Sequence, residues 1–149
     1  MINENLKLSG QLNIVVKGKD GKVKEERTEK NLVVSAGLTY IASRMKNTAA
    51  DAMTHMALGS GTTNAAAGQT DLVTLLGSRE ALDSTTASSN TIVYVAAFEA
   101  GDATGAVTEA GIFNAASGGT MLCRTKFNVV NKAADDTMSV TWTITLSAS

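Results

Sequence analysis

The last stretch of the chain alternates without a break: Met138, Val140, Trp142, Ile144 and Leu146 are apolar, and Ser139, Thr141, Thr143, Thr145 and Ser147 are not. A period of two sends successive side chains to opposite faces of a strand. The segment therefore predicts a strand with one face on a core and a hydroxyl-lined face turned to water or to a partner. Thr and Ser suit that second role, because β-branching fits a pleated surface and hydroxyls hydrogen-bond across it. A similar alternation opens the chain in "QLNIVVK", with Leu12, Ile14 and Val16 on one face. Asp20-Gly21 then supplies turn chemistry, and the charged "KVKEERT" returns, which predicts an N-terminal hairpin within residues 1–30. Its Lys22, Lys24, Glu25, Glu26 and Arg27 belong either to a protected sheet edge or to an anchoring arm. The regular alternation favours the strand that completes a sheet.

Between these ends the pattern changes twice. Ser35 is expected to cap a helix through "AGLTYIASRM", in which Leu38, Ile41 and Met45 fall at helical spacing. "NTAADAM" is a connector of small residues, and "THMAL" is a short strand ending at Gly59. The following "GSGTTNAAAGQT" is long for a loop of a compact domain, which points to a functional excursion or to a segment that packs on something else. Thr70 is expected to cap a short helical turn through "DLVTLL". From Arg79 onward the signal is β. "REALDSTT" and "TIVYVAAFEA" flank a hairpin connection at "ASSN", and "VTEAGIFN" and "TMLCRTKF" flank "AASGG". Ile92, Tyr94, Ala96 and Phe98 oppose Val93, Val95 and Ala97, so both faces of that strand are apolar and it is expected to lie inside a sheet. With no internal repeat and no linker, the pattern predicts one mainly β domain over residues 1–149, an antiparallel, jelly-roll-like β-sandwich with one short α-helix.

Composition narrows the partners. A chain of 149 residues, 44% hydrophobic and 18% charged, is long enough to bury a core and too apolar for disorder. Its net charge of -1 lacks the basic excess that dominates nucleic-acid affinity, so no nucleic-acid partner is expected. No apolar run approaches a membrane span, and "MINENLKLSG" lacks a charged segment followed by an apolar one; the expectation is synthesis in a cytoplasm without a signal peptide and no membrane partner. Proline is absent, so edges must be protected by charge, coverage or oligomerisation.

Candidate chemistry is sparse. "GSGTT" resembles a phosphate loop, but no lysine follows Gly61, where Thr62, Thr63 and Asn64 stand instead. His55 is the single histidine and Cys123 the single cysteine, too few for a closed zinc site. His55 reads as a packed or surface residue and Cys123 as a small buried hydrophobe. Glu99, Asp102, Glu109 and the pair Asp135-Asp136 match no calcium-loop spacing and read as solvated charges near strand ends. With one Trp, two Tyr and three Phe, of which Trp142, Tyr94 and Phe98 read as core, an aromatic sugar platform has little material. Hence no catalytic, cofactor-binding or metal-binding residue is predicted, and no cofactor.

Three stretches carry a family likeness: "NLVVSAGLTYIASRM", "MTHMALGSGTTNAAAGQTDLVTLLGSREAL" and "TGAVTEAGIFNAASGGTMLCRTKFNVVNKAADDTMSVTWTITLS". Together they resemble small virion proteins of tailed bacteriophages, of the tail-fibre, tail or capsid-decoration kind, over residues 31–147. The resemblance implies a non-enzymatic structural protein of the virion, made in the host bacterial cytoplasm and assembled on the particle exterior as a homo-oligomer, with a trimer favoured. Its partners would be itself and other virion proteins, with a host surface receptor as a further possibility. The oligomer interface is expected at Ser139, Thr141, Thr143 and Thr145, and at Gly59, Gly61 and Thr62, where small side chains allow close backbone approach. The alternative is a receptor- or glycan-binding module at an appendage tip; an internal crossover is the alternative role for the glycine loop.

Overall fold

The structure, a computed structural model, describes residues 5–47 and 49–148. Thus the head of the N-terminal segment, residues 1–4, and Thr48 of the small-residue connector lie outside the described residues. The elements run β1 (Leu6–Lys17), β2 (Val23–Lys30), β3 (Leu32–Val33), α1 (Ser35–Ser43), β4 (His55–Gly59), β5 (Glu80–Ala81), β6 (Ser84–Ser88), β7 (Thr91–Phe98), β8 (Gly105–Phe113), β9 (Met121–Lys132) and β10 (Thr137–Ala148). Two antiparallel five-stranded sheets result, β2-β1-β10-β7-β6 and β3-β9-β8-β4-β5, called here the first and second sheet. They form a β-sandwich with one short helix.

The alternating ends of the chain are neighbours at the centre of the first sheet. β1 and β10 pair in unbroken register from Leu6↔Ala148 to Lys17↔Thr137. Their apolar faces, Leu12, Ile14 and Val16 with Met138, Val140, Trp142 and Ile144, are buried together. β7 lies on the other side of β10 and adds Tyr94, Ala96 and Phe98 to this core, so it is an interior strand of its sheet. The charged β2 is an edge strand, as the sequence predicts for a protected edge. Its charges also connect elements: Arg27 donates to the carbonyls of Asn128 and Val129 on β9, and Lys24 Nζ lies 2.9 Å from Asp136 Oδ2 in the β9–β10 turn.

Four local expectations are corrected. Ser35 is the first helical residue; Val34 occupies the cap position, and no side chain caps the helix. Leu38 and Met45 are exposed, whereas Gly37 and Tyr40 are the buried residues of α1. The reason is close approach: α1 lies on β9 so tightly that a Cβ on Gly37 would collide with the Leu122 carbonyl. Residues 71–76 form no helical turn. Their backbone runs beside β4 instead, with Ser60 N donating to Thr74 O and Leu76 N to Leu58 O. Finally, "REALDSTT" is divided between the sheets: Glu80–Ala81 pairs with β4, and Ser84–Ser88 pairs with β7 through a two-residue turn at Ser89-Asn90.

Leu12→Ala is expected to lower the unfolding free energy by about 2–5 kcal/mol, since it empties a fully buried site. Gln11→Ala, on the opposite face of the same strand, should change it by less than about 0.5 kcal/mol. Urea unfolding of both variants checks the assigned faces of β1; equal losses would contradict them.

Candidate functional site

The residues expected at an interface fall into two places. Ser139, Thr141, Thr143 and Thr145 project from the outer face of β10, and each is half-buried. Register sets Thr141 between Asn13 and Val95, and Thr143 between Gln11 and Val93. Beyond β7, Ser84 and Thr86 of β6 continue the surface opposite Val95 and Val93. Across β1, β10, β7 and β6 this gives a plane of hydroxyl, amide and small apolar groups, with Lys7 and Lys17 at the two ends of β1.

Gly59 and Gly61 do not join it. They belong to the far side of the sandwich, on and just after β4 of the second sheet, and both are buried in the chain's own interior. Thr62 is exposed. The expectation that these glycines face a neighbouring subunit is therefore corrected, and the internal-crossover alternative describes them: a Cβ on Gly61 would lie 2.5 Å from Glu109 Oε1. The glycines make room for a carboxylate of the same chain.

That carboxylate is the centre of a polar network which corrects the sequence reading of Glu109 as a solvated charge. Glu109 on β8 and Arg124 on β9 are diagonal neighbours, Glu109 lying opposite Lys126 and Arg124 opposite Gly111; both side chains are fully buried, and Arg124 Nη2 lies 2.7 Å from Glu109 Oε2. Glu109 Oε1 accepts from the backbone N–H of Gly61 at 3.0 Å and of Thr74 at 2.8 Å; Oε2 accepts from Val73 N–H at 3.0 Å and from Arg124 Nε at 3.0 Å. Arg124 also donates to Gln69 Oε1 and to the Thr63 carbonyl, and Thr108 Oγ1 donates to the Gly61 carbonyl. Two ends of the crossover, near Gly61 and near Val73, are thus held by one carboxylate.

A bulge aims it. The β8–β9 register shifts between Val107 and Glu109, so Val107 joins Ala110 and Ile112 in the sandwich core although it is two positions from Glu109. Glu109 is left facing the outer side, under the crossover. Beside it Val34, Ala57, Leu72, Phe113 and Met121 make a second apolar cluster. Arg79 closes the layer: its guanidinium lies 3.5 Å from the Phe113 ring centroid and donates to the Ala115 and Gly118 carbonyls.

Burial alone would raise the Glu109 carboxyl. The N–H donors of Thr74 and Val73, then Arg124 and Gly61, outweigh it and hold the group below the usual carboxylate range. Asp136 is another buried carboxylate that the sequence placed in solvent; Lys24 and the Ala133 N–H hold it below its usual range.

The remaining chemistry-bearing residues stay apart from this network. Cys123 is fully buried, and burial raises its thiol well above the usual range. His55 is half-buried at the start of β4, with Nδ1 2.8 Å from Thr54 Oγ1. Glu80 is raised, first by burial and then by Asp102, with His55 acting in the opposite sense. Among the described residues no three His, Cys, Asp or Glu side chains come together as a metal-holding group, and no helix is long and apolar enough to cross a membrane. A polar groove of about 490 Å³ lies on the first sheet, lined by Lys7, Ser9, Gln11, Lys30, Thr143 and Thr145. Comparison with protein-family models, curated proteins and solved structures finds no match to this chain.

Removing Arg124 alone as Arg124→Met should cost about 3–5 kcal/mol, because it strands a buried charge. The double variant Glu109→Gln/Arg124→Met should lose less than the sum of the two single changes, which denaturant unfolding of all four proteins measures. The pH dependence has a fixed sign. A carboxylate whose folded pKa lies below its unfolded value of about 4.3 stabilises the fold above that pH, and the contribution fades as pH falls through the folded value. Glu109→Gln should accordingly flatten part of the acid limb of the thermal-melting profile, leaving the share that Asp136 contributes.

Proposed function

We propose that this protein is a non-enzymatic structural component of a tailed-bacteriophage virion, assembling as a homo-oligomer on the particle exterior through the outer face of its first sheet. The observation that carries the reading is the asymmetry of the two sheets. The second sheet has its outer face closed by the chain's own crossover, whereas the first leaves Ser139, Thr141, Thr143 and Thr145 beside Val93, Val95 and Ala97 open and half-buried. The centre of this plane carries no ionised side chain, so covering it costs less desolvation than covering a charged face would. The resemblance of residues 31–147 to phage virion proteins supplies the setting, and a trimer is the favoured state. Tail or capsid placement both agree with it.

A receptor- or glycan-binding role at an appendage tip has one feature in its favour, the groove that Lys7 and Lys30 flank. The two readings compete for the same side chains, because an interface over Thr143 and Thr145 would cover much of that groove.

The purified protein is expected to sediment as a homo-oligomer, a trimer by preference, and to be found by mass spectrometry in purified particles. Thr141→Arg and Thr143→Glu, which place unpaired charges in the plane, should yield monomers that still unfold cooperatively. Wild-type protein that stays monomeric at high concentration, or is missing from particles, overturns the proposal; binding of an acidic glycan that Lys30→Glu abolishes would favour the alternative.

A further inference from the structure

At the end of the sandwich where β7 begins and β10 finishes, the sheets part and leave an apolar cleft of about 260 Å³ beneath α1. Tyr40, Met53, Ile92, Tyr94 and Ile144 are among its walls, and Arg44 stands in its lining at the helix C-cap. Among the described residues, the segments beside it carry little bulk. Residues 49–52 are Ala, Ala, Asp and Ala, and β6 carries only Ser, Thr and Ala, all exposed.

Two polar features make this more than a packing gap. Tyr94 is 3% exposed and Tyr40 9% exposed, both line the cleft, and neither hydroxyl is sealed off as an unpartnered buried group. Hydroxyls that reach an otherwise apolar cleft are donors available to a ligand acceptor placed there. Burial, and then the neighbouring Tyr40 and Cys123, push the Tyr94 hydroxyl up, while Arg44 acts in the opposite sense; the guanidinium is therefore within electrostatic reach of that hydroxyl. Arg44 itself spends one nitrogen on the Ala50 carbonyl at 2.7 Å and pairs with no carboxylate among the described residues.

We propose that this cleft is a binding site for a medium-chain alkyl carboxylate, its chain against Met53, Ile92 and Ile144 and its head group between Arg44 and the tyrosine hydroxyls. Size sets the chain length: an apolar cavity of about 150 Å³ accepts benzene, so this one accommodates roughly ten non-hydrogen atoms, the size of octanoate. Charge sets the head group, since an arginine with spare N–H donors selects an anion and phenol hydroxyls donate to it. The site is independent of the oligomer plane, which lies on the outer face of the sheet.

The test is a titration of the full-length protein with octanoate, 1-octanol and octylamine, followed by methyl NMR and calorimetry. Octanoate should saturate at one site per chain and shift the methyl signals of Ile92 and Ile144. Octanol should bind about tenfold more weakly, and octylamine more weakly still. Arg44→Met, a change at an exposed position, should weaken octanoate by about tenfold and leave octanol unchanged. Ile92→Trp, which fills the cleft, should abolish both. No saturable octanoate binding, or octanol binding as tightly as octanoate to the wild type, overturns the proposal; so does an Arg44→Met variant that binds octanoate as the wild type does.

Discussion

One buried carboxylate decides how the second sheet meets the rest of the chain. Glu109 is removed from water on β8, a placement that would cost several kcal/mol were it unpaired. Arg124 supplies the opposite charge from the neighbouring strand, but an arginine cannot satisfy all the acceptor sites of a carboxylate. Three backbone N–H groups from residues 61, 73 and 74 complete the shell. Those donors belong to the crossover, so the charge is tolerated only when the crossover lies in this one path. Such a pair is weak as a source of net stability and strong as a selector of conformation, because any alternative path leaves a buried charge short of partners.

Several features follow from that constraint. The crossover needs Gly59 and Gly61 because it passes directly over the carboxylate. It then brings Leu72 onto Ala57, Phe113 and Met121, which turns a two-layer sandwich into one with a third, partial layer. With that face of the molecule closed, the open plane on β1, β10, β7 and β6 is the remaining broad sheet surface. The lack of charge at its centre contrasts with the neighbouring β2, where Arg27 interacts with Glu25 and Glu29 at the edge. Edge and plane thus carry opposite signals: charge at the edge discourages strand addition, and neutrality on the plane permits face-to-face contact.

Much of the first sheet was legible in the sequence because its strands keep a strict period of two. Leu12, Ile14 and Val16, and the five alternating apolar residues of β10, announce both strand and face without tertiary help. The helix was legible only in existence. Its buried face is set by the absence of a side chain at Gly37, and hydrophobic spacing drew attention instead to Leu38 and Met45, which are exposed. The crossover was misread for a related reason: "DLVTLL" has helical composition, but its N–H groups are claimed by a carboxylate 35 or 36 residues away. One signal was available, a lone acid in "VTEAGIF" and a base in "MLCRT", each next to apolar residues on either side of one turn. Charges so placed on adjacent strands are candidates for a buried pair. The bulge that aims Glu109 outward, and the tyrosine cleft, depend on register and on missing bulk, which no local pattern encodes.

The most direct measurement of the central claim is residue-resolved amide hydrogen exchange in the isolated, native protein. If Glu109 holds the crossover as described, the N–H groups of Gly61, Val73 and Thr74 exchange as slowly as those of β8, although they lie in irregular backbone between strands. Exchange of these three amides at the rates of an open loop, with β8 and β10 still protected, would contradict it.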